Sequence, residues 1–371
     1  MMWFPVLLVA NLLWVIVLFY GERKGAAFMQ DRMGPNVVGK WGMLQAFADL
    51  LKLLQKEAIT ITGSDRLLFG IAPLLIFAVS FVGYVFIPLT PDVVPASGVY
   101  SAVFLLLGLV SLDVFGILMA GWGSNSKYPV YGAMRGLAQI ISYEIPVGIT
   151  VLCVVVLCQT LDLQAITYQQ THLANWWAHT HQQVWQGNYL FGIKALGIST
   201  DQIGGILTWN IFRMPLLFVG FVIYYIATLA ECNRAPFDLP EGESELVGGF
   251  HTEYSGFKWA VFFLSEYTMQ LLFAALGAVL FLGGWGTPLP NIGPLALADY
   301  TTGLPGTWTA NAWGVFWLMI KVLLWGLSHI WVRWTFPRLR LDQLMYLCWQ
   351  VLLPISMVLL VLCAVWRMFM V

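Results

Sequence analysis

Apolar residues fall in long runs along this 371-residue chain, and polar residues gather between the runs. Eight runs stand out, at about 3–20, 67–89, 100–120, 137–157, 206–230, 259–281, 313–332 and 347–366. Each has roughly the 20 residues that a helix needs to cross the hydrocarbon core of a bilayer. Trp and Tyr cluster at their ends, where interfacial anchors belong. The pattern predicts an all-α polytopic membrane protein with about eight transmembrane helices, forming a single membrane domain over 1–371. One connection carries a different pattern. Within 41–57, Leu44, Phe47, Leu51 and Leu54 recur at helical spacing, with Gln45, Asp49, Lys52 and Lys56 mostly opposite. That spacing predicts an amphipathic helix lying along the membrane or against a partner.

Charge adds orientation. Of 18 Lys and Arg, 14 lie in the alternate connections 21–66, 121–136, 231–258 and 333–346. Connections 90–99, 158–205 and 282–312, together with the termini, hold only Lys194 and Arg367, while Arg213 and Lys321 lie within apolar runs. Cytoplasmic loops carry the excess of basic residues. The expected topology therefore has both termini on the outer side and the four basic connections inside. The first run follows Met1 with no basic segment and no small-residue cleavage site, so it reads as a retained helix.

Composition agrees and adds exclusions. The chain is 59% hydrophobic and 10% charged, with a formal net charge of −1. Bulk charge therefore gives no argument for nucleic acid. The five cysteines form no CxxC pair, and three of them sit in apolar runs, against a disulfide framework or a metal cage. The long connection 158–205 contains His172, His179 and His181, but no carboxylate or thiol at ligand spacing, so no metal site is expected there. There is no GxGxxG, no P-loop, no HExxH, no cysteine set for an iron–sulfur cluster and no pair of facing histidines for haem. Nothing in the chain carries redox chemistry alone.

The acids are where chemistry shows. Six of 19 carboxylates fall within 230–253: Glu231, Asp238, Glu241, Glu243, Glu245 and Glu253, with Arg234 as the only cation. Acid concentrated between membrane helices marks an ion or proton route, or a charged docking face. A helix rises ~1.5 Å per residue, so Asp113, Glu144 and Glu266, about seven residues from the inner ends of their runs, lie ~10 Å deep. Glu22 and Glu231 close their own runs on the same side. One such acid is equally well a satisfied polar core residue. Several at one depth point to a water-bearing pathway whose members titrate as a set. Lys321, near mid-bilayer, requires a partner or a wet cavity.

These segments resemble, along nearly the whole chain, the NuoH family of respiratory complex I, NADH:quinone oxidoreductase. Glu22-Arg23-Lys24 followed by Gln30-Asp31-Arg32-Met33-Gly34-Pro35-Asn36 looks like the family's first inner loop. Leu44-Gln45-Ala46-Phe47-Ala48-Asp49-Leu50-Leu51-Lys52 resembles its surface helix. Gly121-Trp122-Gly123-Ser124-Asn125-Ser126-Lys127-Tyr128, then Arg135 and Ile141-Ser142-Tyr143-Glu144, are similar to its third and fourth helices and their turn. Segment 230–253 matches the family's acidic loop, with Cys232 where Thr is common, and Phe336-Pro337-Arg338-Leu339-Arg340-Leu341-Asp342-Gln343-Leu344-Met345 closes the match.

The resemblance implies a membrane subunit of a proton-pumping NADH:quinone oxidoreductase, inactive alone, in a bacterial inner membrane. It implies a tunnel for quinone, which is a substrate rather than a covalently bound cofactor, with Arg23, Arg32 and Asp49 at its entrance. It implies that Glu22, Glu144, Glu231, Glu241, Glu243, Glu253 and Glu266 belong to a proton or charge route or its loop. Asp238 and Arg234 would fix the loop and its docking. Iron–sulfur clusters and FMN would reside only in partner subunits: the hydrophilic-arm subunits of the quinone site, with small and antiporter-like membrane subunits alongside. Three departures qualify it. Connection 158–205 is long, which favours a bacterial chain; Ala46 stands where Pro is usual, so the surface helix would start differently; and Gln350 replaces a frequent basic residue. Two other classes fit the pattern less well: the membrane subunit of an energy-converting hydrogenase, and a free-standing ion transporter, which would show repeats and broken helices.

Overall fold

The computed structural model describes residues 3–96, 98–181, 187–193, 197–201, 203–292 and 295–370. Lys194 lies outside them. The described residues are helical, with no strands beyond two isolated bridges. The membrane helices are α1 (Trp3–Met29), α3 (Arg66–Val82), the pair α4 (Ala102–Val110) and α5 (Asp113–Gly123), α6 (Lys127–Cys158), α7 (Leu216–Glu231), α8 (Gly256–Phe281), α9 (Trp308–Thr335) and α10 (Leu353–Met370). The short α2 (Gln45–Gln55) lies between α1 and α3. Among the described residues seven helical segments are long and apolar enough to cross a membrane. The eighth, α7, has 16 residues, or ~24 Å.

α7 is shorter than the apolar pattern predicts because the run 206–230 is broken. Pro215 has no N–H to continue a helix, and Met214 is extended. The preceding turns, Gly205–Thr208 and Asn210–Arg213, are separate pieces. Arg213 therefore sits outside α7. The third apolar run also divides, at Ser111-Leu112, so that Asp113 opens α5. A carboxylate there meets the positive end of the helix dipole. By contrast α6 has 32 residues and begins ten residues earlier than its apolar run.

The connections assemble at two ends. At one end Arg135 pairs with Glu245, Asn125 Nδ2 donates to Gly63 O at 3.1 Å, Ile59 N donates to Ser255 Oγ at 2.9 Å and Leu339 N donates to Pro236 O at 3.1 Å. These bonds join all four basic connections. At the other end Gln164 Nε2 donates to Pro91 O at 2.6 Å, Gly306 N to Asp92 at 2.9 Å and Asn291 N to Ile203 O at 2.7 Å. Those join the three connections poor in basic residues. Lys321 finds its partners near this second end: Nζ donates to Gly284 O at 2.8 Å and Gly286 O at 2.7 Å, and lies 4.7 Å from the Trp209 ring. Three hydrogen-bonded or ring contacts compensate a charge that water does not reach.

α8 is the central helix. Nearly every residue from Tyr267 to Phe281 is buried, and α1, α3, α7 and α9 pack around it. A helix apolar on all sides belongs in such a place. α2 starts at Gln45 because the chain before it cannot be α-helical: Trp41 and Gly42 have φ of 61° and 75°. A Cβ on Gly42 would stand 2.2 Å from Pro35 O. Leu44, Phe47, Leu51 and Leu54 remain exposed along this short helix, an apolar stripe that the chain itself does not cover.

Candidate functional site

Two cavities lie on either side of one turn of α8. The larger holds about 660 Å³. Its walls are Phe19, Glu22, Arg23 and Ala26 of α1, residues 32–37 of the first connection, Phe263 and Tyr267 of α8, and Arg333 and Trp334 of α9. The smaller holds about 20 Å³, close to what one water needs. Asp113 and Ile117 of α5, Ile76 of α3, Glu231 of α7 and Ser265, Glu266 and Met269 of α8 line it with Cys232, Asn233, Phe250 and Phe262. Glu266 and Tyr267 are consecutive. Successive helical residues point ~100° apart, so α8 presents one to each cavity.

Glu22 is the charged floor of the larger cavity. It is 8% exposed. It accepts from Tyr267 Oη at 2.7 Å and from Arg234 Nη1 at 3.4 Å, and pairs with Arg333. Arg234, 6% exposed, also lies over the Tyr267 ring at 4.0 Å and is within electrostatic range of Glu266. Arg234 is thus the charge between the cavities, a more interior place than the loop-fixing role the sequence suggests.

Beyond Arg234 the acids continue. Glu266 is within electrostatic range of Glu241. Glu231 is within electrostatic range of Asp113 and Glu144, and Ser111 Oγ donates to Glu144. Outside the membrane helices, burial and then Glu241 push the Asp238 carboxyl up to about 7, against the pull of Arg338, Arg333 and Arg234. Arg338 Nη2 stands 3.9 Å from Asp238.

Glu22, Glu144, Glu231, Glu241 and Glu266 therefore share one array. Glu243 opens the short helix Glu243–Leu246, but its side chain lies outside the described residues. Glu253 is half-buried and joins none of these contacts among the described residues. Arg23 and Arg32 line the larger cavity. Arg23 pairs with Asp49 at 2.6 Å and lies 4.1 Å from the Phe19 ring, so Asp49 stands behind Arg23 and ties α2 to α1. Arg32 Nε donates to Gln30 Oε1 at 2.7 Å. Of the histidines of 158–205, His172 pairs with Asp299 at 3.3 Å and His181 stacks on Trp177.

Asp113, Tyr267, Arg333 and His251 belong to the site as well. Asp113 carries the depth signal, since it lies in the same layer as the other acids. Tyr267 is legible only as the neighbour of Glu266. Arg333 reads in the sequence as one more topology charge. His251, whose Nδ1 is 3.9 Å from Glu241 Oε1, has no sequence signal.

Comparisons with known proteins identify the family. The family model described as NADH dehydrogenase matches residues 2–364. The H 2 subunit of NADH-quinone oxidoreductase from Cytophaga hutchinsonii is 52% identical over 360 residues, covering 97% of this chain and 96% of that protein. The H subunit from Chlorobium luteolum is 47% identical over 94% of this chain and 84% of that protein. The H subunit from Chlorobaculum parvum is 45% identical over 98% of this chain and 93% of that protein. With matches of this extent, an all-helical membrane fold and no redox ligand set of its own in the sequence, the chain belongs to the NuoH family of NADH-quinone oxidoreductase, complex I.

Proposed function

We propose that the larger cavity is the membrane end of the quinone path, and that the acid array carries the charge change of quinone reduction to neighbouring proton-translocating subunits. The observation that carries this is the turn of α8 at Glu266-Tyr267. Tyr267 and Glu22 face the larger cavity, Glu266 faces the smaller one, and Arg234 stands between.

The larger cavity suits an amphipathic ring. Its volume of about 660 Å³ lies in the usual ligand range. Phe19, Phe263, Trp334 and Met33 offer apolar walls, and Arg23, Arg32 and Arg333 offer donors. Quinone reduction takes up two electrons and two protons. Reduced quinone presents negative charge until protons arrive, and that charge competes with Glu22 for Arg333 and Arg234. A shift of Arg234 changes the field at Glu266. Protons then redistribute among Glu266, Glu241, Glu231, Asp113 and Glu144, which act as a coupled set.

The redox groups belong to partner subunits in this reading. The end bearing the four basic connections docks the hydrophilic arm. The exposed apolar faces meet lipid or the small and antiporter-like membrane subunits. Both termini lie on the outer side of a bacterial inner membrane. The test is photolabelling of the assembled complex with a light-activated quinone. Labelling within 19–37 and 263–267 supports the path; labelling confined to the opposite end rejects it.

A further inference from the structure

The array reaches connection 231–258, outside the membrane helices, and a histidine stands there. His251 lies in the turn Gly249–His251, outside the membrane helices. Its side chain is 9% exposed and that of Glu241 is 18% exposed. Resting on the charge-route reading above, we propose that His251 is the proton-exchange residue of this array, taking protons from the aqueous side and passing them through Glu241 to Glu266.

The backbone holds the two groups together. Gly249 has φ of 63°, and a Cβ on it would stand 1.7 Å from Pro240 O. Only glycine permits this approach. It presses the His251 turn onto the residue before Glu241. From the other side α6 closes in: a Cβ on Gly132 would stand 2.8 Å from Phe250 N. The imidazole is oriented by rings, edge-on to Phe250 at 5.1 Å, Phe263 at 5.8 Å and Trp259 at 6.2 Å. A ring held on three sides keeps Nδ1 towards Glu241.

Several elements pack against the imidazole. From its own turn comes Phe250, from α8 come Trp259 and Phe263, and from α6 comes the backbone at Gly132. Glu241 Oε1 stands 3.9 Å from Nδ1. Asp238 and Glu266 are both electrostatically coupled to Glu241. Arg338 and Arg333 act on Asp238.

The chemistry balances. Protonated His251 gives one proton to the Glu241 carboxylate, leaving a neutral imidazole and a neutral carboxylic acid. The acid then gives that proton to the Glu266 carboxylate, and the imidazole takes up another proton from the aqueous phase as hydronium, releasing a water. The 3.9 Å gap closes by a side-chain rotation or through one water. Histidine is suited to this because its ordinary titration range spans working pH.

The test uses the assembled complex in sealed vesicles. NADH-driven quinone reduction and proton uptake are followed against pH, normalised to electron delivery to a water-soluble artificial acceptor. The wild-type profile should contain an ionisation between about pH 6 and 8. In His251→Phe, which keeps the ring contacts, and in His251→Gln, that ionisation should vanish or move by about one pH unit or more, with quinone KM retained. Glu241→Gln should change the same limb, and the double variant should change it no further. A wild-type profile flat over that window overturns the inference without any variant. A His251→Phe profile superimposed on wild type also overturns it, and leaves His251 a packing residue. If Glu231→Gln blocks pumping while His251→Phe is silent, only this inference fails. If Glu231→Gln is itself silent, the charge route fails.

Discussion

Glu22 is the point where the larger cavity meets the acid array, and its partners set what its charge is worth. In Glu22→Gln the amide keeps nearly the same volume and still accepts from Tyr267. Two cations lose their counter-charge. Arg234 is 6% exposed, and its Nε and Nη2 make no hydrogen bond among the described residues. Stranding a buried charge costs about 3–5 kcal/mol. Arg333 has 32% of its side chain exposed, so water takes over and its share is ~0–1 kcal/mol. The Tyr267 bond is kept in wild type and variant alike and cancels. The net is about 3 kcal/mol or more, at least roughly 150-fold between the intact and opened site. The assay is the yield of assembled complex on a native gel and the midpoint of its thermal inactivation. Glu22→Gln should lower both. Glu22→Gln combined with Arg234→Gln removes both charges and should recover part of the loss, since the two share one interaction. A single variant as stable as wild type, or a double variant less stable than the single, refutes the reasoning.

Three further outcomes are expected. Arg32→Ala should raise the apparent quinone KM with little change in maximal rate, by roughly 10- to 150-fold if one charge-assisted hydrogen bond of ~1.5–3 kcal/mol is lost; titration of the assembled complex with quinone checks it. Asp238 has a folded-state pKa raised from 3.8 to about 7, by burial first and then Glu241; its contribution to stability is full below its unfolded value and is lost as pH rises through about 7. Thermal inactivation midpoints should therefore fall more between pH 5.5 and 8 in wild type than in Asp238→Asn. For topology, the five native thiols are buried, so single cysteines can be read against them: an impermeant reagent at the outer face should label Leu190→Cys and miss Glu245→Cys.

The order of the membrane helices was legible because a bilayer demands long apolar runs. The grouping of the basic connections at one end was legible from Lys and Arg, and the contacts joining 21–66, 121–136, 231–258 and 333–346 match it. Helix rotation was not legible. α8 is apolar all round, so no moment tells which cavity Tyr267 or Glu266 faces. Depth arithmetic placed Asp113, Glu144 and Glu266 in one layer, and that rise is a property of any helix. The break at Pro215 was hidden by Phe212, Met214 and Leu216, which keep the run apolar across it. The late start of α2 depends on positive φ at Trp41, a residue type that gives no warning of it. Glu253 carries the same charge as Glu241 and lies twelve residues further along the chain, yet the turn at Gly249 brings His251, not Glu253, to the array.

Glu231 is where the charge route can be tested most directly, because it lines the smaller cavity and is within electrostatic range of both Asp113 and Glu144. Glu231→Gln keeps the shape and removes the titration. In assembled complex reconstituted into sealed vesicles, quinone reductase rate and proton pumping are measured together. The prediction is a lower maximal rate and lost or reduced pumping, with quinone KM within about twofold of wild type. Full rate with full pumping would make Glu231 a structural acid and contradict the charge route.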